Sequence, residues 1–153
     1  MTASQHAIEK RYKLLPYLYT QFVISAESGI PIQRPLFFDF QDDLQTHELD
    51  DQYLLGSDFI VAPILQEKQR SRKVYIPAGE WFSLTEQKII EGPCQHNTPA
   101  TLKEIPLFYR CGAIIPTLKN IPMSTQELSA APQLELLLAV PSKPGIYHSS
   151  LRE

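Results

Sequence analysis

The sequence has two cysteines in 153 residues, Cys94 and Cys111. That permits one internal disulfide at most, far below the density of a secreted scaffold stapled by bridges, and two reduced thiols are the simpler expectation. It has no apolar run approaching the roughly 18 to 20 residues that span a bilayer, and its start, "MTASQHAIEKRYK", lacks the apolar centre of a signal peptide. No membrane association is expected, and the chain as written reads as cytoplasmic. Charge of one sign is also missing: 14 Lys and Arg stand against 17 Asp and Glu, a net charge of -3. No stretch gathers enough positive charge to neutralise a run of phosphates, so nucleic acid is not an expected partner. Internal repeats and low-complexity segments are absent as well.

What the chain does contain is a hydrophobic fraction of 43%, typical of a globular domain with a real core and unlike a disordered chain. Its 13 prolines lie mostly beyond Gly29, among short apolar runs. The chain therefore divides into a helical start and a sheet-forming remainder.

From Ser4 onward Ile8, Tyr12, Leu15, Tyr19, Phe22 and Ala26 recur at spacings of four and three, which places them on one face of an α-helix. Pro16 lacks an amide hydrogen and crowds the preceding turn, so a kink is expected near Lys13, and Gly29 suits a left-handed C-cap. Leu14, Tyr17, Leu18 and Val23 widen the apolar stripe, as in a helix buried by neighbours on two sides. The following "GIPIQRPLFFDF" is apolar without alternation, which predicts a strand covered on both faces, as in a parallel sheet. A parallel neighbour needs a crossover of about a dozen residues or more. Nothing upstream of the helix supplies one, so this opening reads as the end of a βα-type domain whose body is missing. Later apolar runs at Phe59 to Leu65, Lys73 to Ile76, Lys88 to Ile90, Pro106 to Arg110, Ala113 to Pro116 and Gln133 to Val140 are separated by "PAGE", "EGP" and "CGA". Read as turns, these give the spacing of an antiparallel sandwich or barrel from Ser57 onward, with "EKQRSRK" as a charged loop.

The strings "RYKLLPYLYT", "PIQRPLFFDF", "THELDDQYLLGSDFIVAPIL", "VYIPAGEWF" and "IPLFYRCGAIIP" resemble the C-terminal part of glycoside hydrolase family 31, the α-glucosidases, α-xylosidases and relatives, from about Arg11 to Pro116 and more weakly to Val140. The resemblance implies a mixed fold: an N-terminal helix and the last strand of an incomplete (β/α)8 barrel over residues 1–56, then a mainly antiparallel proximal β-sandwich over 57–153, truncated at its end. Helix and strand would be apolar because they pack on barrel elements that lie upstream.

Retaining glycosidases use two carboxylates about 5 to 5.5 Å apart. In the family both lie on earlier barrel strands and loops, the nucleophile in a motif of the kind W-x-D-M-x-E that is not found here, so no catalytic, substrate-binding, cofactor-binding or metal-binding residue is assigned, and no cofactor is expected. Asp42, Asp43, Asp50 and Asp51 could be taken for a carboxylate pair or a calcium site, but the EF-hand offsets for Gly and Glu are not met. Asp43, and Asp50 with Gln52, match the family's "F-P-x-D" and "D-x-Q", expected to be structural caps. Trp81 could stack on a sugar, although a lone Trp after a turn belongs more often to a core. Cys94, His96 and Cys111 lack the paired spacing of a zinc site. His6, His47 and His148 stand apart from any nucleophile. Arg34 reads as a buried, ion-paired residue at the barrel end. Three departures from the family pattern stand out: Gln41 in place of Pro, Ser83 in place of Asp and Cys111 in place of Gly. If Cys111 needed a positive φ, it would cost about a kcal/mol or more relative to Gly. A further departure follows Tyr147, where the family's "L-Y-E-D-D-G" gives way to "HSSLRE".

The function implied is that of a C-terminal fragment of a retaining α-glycosidase, inactive by itself. Its partner would be the missing N-terminal barrel portion, or another copy of itself by self-association, and an α-linked oligosaccharide would be bound only by the whole enzyme. The alternatives are a stand-alone carbohydrate-binding β-module and a complementing subunit of a split glycosidase.

Overall fold

The computed structural model describes residues 3–99, 101, 104–122, 124, 126 and 132–142. Among them the fold is two helices and a predominantly antiparallel β structure. Helices α1 (Ala3–Lys13) and α2 (Leu15–Ser28) meet at Leu14, one residue past the expected kink, because Pro16 sits in the first turn of α2. Gly29 closes α2 in the left-handed conformation, φ 74°, its N–H bonded to Ser25 O. No helix among the described residues is long and apolar enough to cross a membrane.

The expected two-sided parallel strand does not form. Its place is taken by a two-residue strand β1 (Gln33–Arg34), antiparallel to β2 (Tyr53–Leu55), followed by a 3-10 turn at Leu36–Phe38. Pro31 and Pro35 flank β1 and have no N–H to give a ladder, which limits the strand to the residues between them. The remaining strands are β3 (Phe59–Val61), β4 (Ser71–Ser83), β5 (Lys88–Pro99), β6 (Leu107–Arg110), β7 (Ile114–Leu118) and β8 (Leu134–Leu138). Each of the six predicted apolar runs contributes one of them. One sheet has the order β1-β2-β3-β6-β4-β5, drawing strands from both sides of residue 56, and β7 pairs with β8 in a second sheet.

"PAGE" and "EGP" are corrected: they do not end strands but lie inside the long β4–β5 hairpin, where the register shifts between Ile76 and Gly79 and resumes at Gly79↔Gly92. A Cβ on Gly92 would lie 2.0 Å from Pro77 O, so only glycine lets the two strands close here. The hairpin is bent sharply enough at this point that His96 returns to meet Glu86, 2.5 Å from Nε2 to Oε2.

Alternation along the strands sends residues to two cores. Leu54, Ile60, Phe108 and Trp81 point to one face with Leu36, Val74 and Ile76; Phe59 and Tyr109 point to the other with Tyr17, Cys111, Ile115 and Ala139. Central strands β3 and β6 are thus covered on both faces, by the 36–40 turn on one side and by α2 and β7 on the other. The helices, in contrast, are covered on one side only. It is the Leu14, Tyr17 and Leu18 side of α2 that meets the sheet, while Tyr19 and Phe22 of the main stripe are each 62% exposed and Ile8 is 56% exposed.

Candidate functional site

A group of paired polar side chains, with Arg34 and Tyr17 buried among them, lies where α2, the 34–39 turn and the sheet converge. Arg34, brought to the seam by β1, grips Asp39 through Nε to Oδ1 (3.0 Å) and Nη2 to Oδ2 (2.8 Å), and donates from Nη1 to Pro31 O (3.1 Å). This is the buried, ion-paired arginine expected from the sequence. Tyr17 reaches down from α2, its hydroxyl donating to Leu55 O (3.0 Å) and to Asp58 Oδ2 (3.2 Å). Burial pushes the Asp58 carboxyl up, against hydrogen bonds from Ser57 and Tyr17 and the charges of Arg110 and Arg34. Burial, then the Asp58 charge, pushes the Tyr17 hydroxyl well up. Arg110 lies over Trp81 at 4.7 Å and Phe40 at 5.5 Å; burial lowers its pKa while Asp58 and Asp39 pull the other way. The sequence reading missed Asp58 and Arg110, since nothing in "GSDF" or "YRCG" marks them; only pairing Phe59 with Tyr109 brings them together.

This seam is balanced in charge, two arginines against two aspartates. Asp39 is held through both oxygens, so acting as a nucleophile would require breaking a bidentate pair. Its chemistry is that of a tie between helix, turn and sheet.

The four candidate aspartates do not converge. Asp43 Oδ1 accepts from Gln45 N (3.1 Å), as the expected cap, and Oδ2 accepts from Tyr75 O–H (2.5 Å). Burial and this bond push the Tyr75 hydroxyl up to about 12. Asp51 pairs with buried Arg72 at 2.7 Å, whose Nη1 also donates to Pro63 O. Asp42 and Asp50 are exposed, and Gln52 makes the structural hydrogen bonds expected of it, to Tyr75 O (2.7 Å) and from Tyr75 N (2.9 Å).

Trp81 is fully buried, its Nε1 donating to Pro77 O (3.2 Å), and so offers no face to a sugar. Cys111 does not adopt positive φ; Gly112 does, at 85°, and the anticipated strain does not arise. Both thiols are free. Burial pushes Cys94 up, and burial with the Glu80 charge pushes Cys111 up to about 11. No three His, Cys, Asp or Glu among the described residues gather as metal ligands. Ser83, where the family pattern has Asp, accepts from Glu86 N (3.2 Å). His6 is half-buried on α1, His47 Nε2 lies 2.8 Å from Gln41 O, and His148 falls outside the described residues.

Glu86 sits between His96 (2.5 Å) and Lys88 (3.0 Å). Burial raises its pKa, but the bonds from His96 and Lys88 outweigh this and hold it below the ordinary carboxylate value. A depressed folded pKa adds stability above the unfolded value and loses it as pH falls through the folded one. Glu86→Gln should therefore lower stability at pH 7 by up to about 1 kcal/mol, with the difference from the parent vanishing in acid. Urea midpoints at pH 7 and pH 3 measure both; an equal difference at the two values would refute the assignment.

Residues 29–115 match the model of the glycosyl hydrolase family 31 C-terminal domain. The chain is 37% identical over 119 residues to alpha-glucosidase 2 of Bacillus thermoamyloliquefaciens, covering 78% of this chain and 15% of that protein. It is 37% identical over 116 residues to an alpha-xylosidase of Saccharolobus solfataricus, covering 74% and 16%. Among solved structures, a family 31 dextranase of Flavobacterium johnsoniae in complex with glucose superposes with a TM-score of 0.86 at 30% identity, over 92% of this chain and 17% of that one. The chain thus spans about 15% of the length of the curated relatives it matches. With a family model matched over more than half its length and the same fold as solved members, the chain belongs to glycosyl hydrolase family 31, whose C-terminal domain it carries.

Proposed function

We propose that the chain serves as the barrel-closing and sandwich portion of a retaining α-glycosidase, with residues 1–56 completing a (β/α)8 barrel and 57–153 buttressing it. The observation that carries this reading is the outward apolar face of the N-terminal region: Ile8, Tyr19 and Phe22 on the helices and Phe37 and Phe38 beyond β1, each 38% exposed or more. These five large apolar side chains, left in water within the first 38 residues, fit an interface. The reaction of the assembled enzyme would be hydrolysis of an α-glycosidic bond through a glycosyl-enzyme intermediate, with both carboxylates and the sugar-orienting groups supplied by the rest of the barrel and no cofactor required. This chain's own part is positional: the Tyr17–Asp58 tie holds the barrel end on the sandwich, and the Arg34–Asp39 pair fixes the turn within the barrel end.

Two measurements test the proposal. Incubated alone with nitrophenyl α-glucoside and α-xyloside, the purified chain should release no nitrophenol above the blank. Grafted into alpha-glucosidase 2 in place of the matching segment, residues 11–116 should sustain hydrolysis within about tenfold of the parent, about 1.4 kcal/mol in transition-state terms, and Phe22→Glu should abolish it. Reproducible hydrolysis by the isolated chain, or a graft indifferent to Phe22→Glu, would be inconsistent with the reading.

A further inference from the structure

A second apolar surface lies away from the helices, on β8. Leu134, Leu136 and Leu138 are 49%, 62% and 52% exposed, and Val140 continues the face. Alternation turns Leu137 inward to the Tyr17 and Phe59 cluster and leaves these leucines on the outer face. Among the described residues β8 pairs with β7 alone.

The ladder shows which backbone groups are open. Lys119 N–H donates to Gln133 O (3.0 Å), the rung next to Leu118↔Leu134. In an antiparallel pair such rungs alternate, so odd-numbered residues of β8 turn their amides and carbonyls to β7. Leu134, Leu136 and Leu138 turn theirs to the outer edge. The described residues after β8, 139–142, do not fold back along that edge: Ser142 N–H is bonded to the Glu80 carboxylate on β4 at 2.8 Å.

We infer that this edge pairs with the same edge of a second copy, forming a two-fold dimer centred on Leu136. The sequence "LELLL" suits a two-fold axis. Antiparallel pairing about Leu136 sets Leu136 against its own mate and Leu134 against Leu138 of the other copy, so the residues with open backbone groups meet one another. Glu135 falls opposite Leu137 of the other copy instead of opposite Glu135, which avoids like charges across the pair. Glu135 is moreover matched within its own chain by Lys13 at 3.7 Å. An exposed edge whose outward-turned backbone groups all belong to leucines is a template for strand pairing, and a two-fold axis closes the assembly at two copies. The inference does not depend on the glycosidase reading, because the helix face plays no part in it.

The test uses the full chain carrying Phe22→Glu, which removes association through the helices. Sedimentation velocity should show the mass rising with concentration to twice that of one chain, and Leu136→Lys should hold it at one chain with the circular dichroism spectrum unchanged. As a second readout in a Cys94→Ser background, Leu136→Cys should form an inter-chain disulfide under mild oxidation. Its Cα atoms would be about 5.5 Å apart, within disulfide reach of about 4.4 to 6.8 Å. Leu134→Cys should not, its mate being about 13 Å along the strand. A single-chain mass at every concentration, an assembly larger than two, a dimer untouched by Leu136→Lys, or cross-linking of Leu134→Cys as fast as that of Leu136→Cys would each overturn the inference.

Discussion

Trp81→Ala should destabilise the chain by about 3 to 5 kcal/mol. The indole is fully buried, with the Phe40 ring at 6.4 Å and the Arg110 guanidinium at 4.7 Å from it. Its removal leaves a cavity that β4 cannot collapse into, because β5 and β6 pair with it on both edges. It also strips the Arg110 charge of the aromatic face on which it rests and leaves Pro77 O without its donor. Set against a usual net stability of about 5 to 15 kcal/mol, a loss of this size brings the fold near its limit. Trp81 is the only tryptophan, so the measurement must follow unfolding in urea by circular dichroism instead of indole fluorescence. Trp81→Phe should recover more than half of the loss. A cost below about 1 kcal/mol for the alanine variant, as at a surface site, would show that the indole is not a core residue.

Gly56→Ala should detach the helices while leaving the sheet in place. Gly56 has φ 62°, and a Cβ there would meet Tyr17 Oη at 2.1 Å and Gln21 Oε1 at 2.6 Å. Gln21 can swing aside, but the Tyr17 ring cannot, since it stands edge-on to Phe59 with centroids 5.1 Å apart. α2 must therefore lift, and Tyr17 gives up its bonds to Leu55 and Asp58. The left-handed strain costs about 1 to 2 kcal/mol and the lost aromatic burial about 1.5 to 3 kcal/mol. Hydrogen exchange should show amides of residues 15–28 losing protection while those of β3 and β6 keep theirs. Adding Tyr17→Phe, which removes the obstructing hydroxyl, should restore part of the protection. Uniform loss across helices and sheet would mean that α2 is not a separable layer.

How much of this was legible in the sequence depended on whether the deciding contact was local. The αL cap at Gly29, the break by Pro16 and the six β runs from Phe59 to Leu138 were readable because a few neighbouring residues determine them. The 31–38 segment was misjudged: its apolar run suggested a strand, but Pro31 and Pro35 restrict the ladder to Gln33 and Arg34. The full length of the β4–β5 hairpin is not readable because Gly79 and Gly92 look like turn residues when each is seen alone; only their pairing carries the ladder past the register shift between Ile76 and Gly79. For the site, Arg34 could be read as paired, since its partner Asp39 is five residues away. Tyr17 with Asp58, and Arg110 beside Trp81, depend on contacts 29 to 41 residues apart in the chain, for which no spacing rule exists.

The strand order has a consequence for how the chain is made. β6 is inserted between β3 and β4, so Phe59 waits for Tyr109 across the whole β4–β5 hairpin. Contacts that distant are slow to form, because the loop must close before they reward it. During synthesis the hairpin of residues 71–99 can close on itself, but the helices cannot seat: the cluster that receives Tyr17 includes Tyr109, Cys111 and Ile115. The helices, synthesised ahead of the sheet, are thus among the last of these elements to dock, and Phe59 to Val61 pass through an interval with one edge open to other nascent chains. A translational pause placed before residue 107 would lengthen that interval, whereas rapid delivery of Leu107–Arg110 would shorten it, since the last strand of the large sheet to be synthesised belongs in its interior.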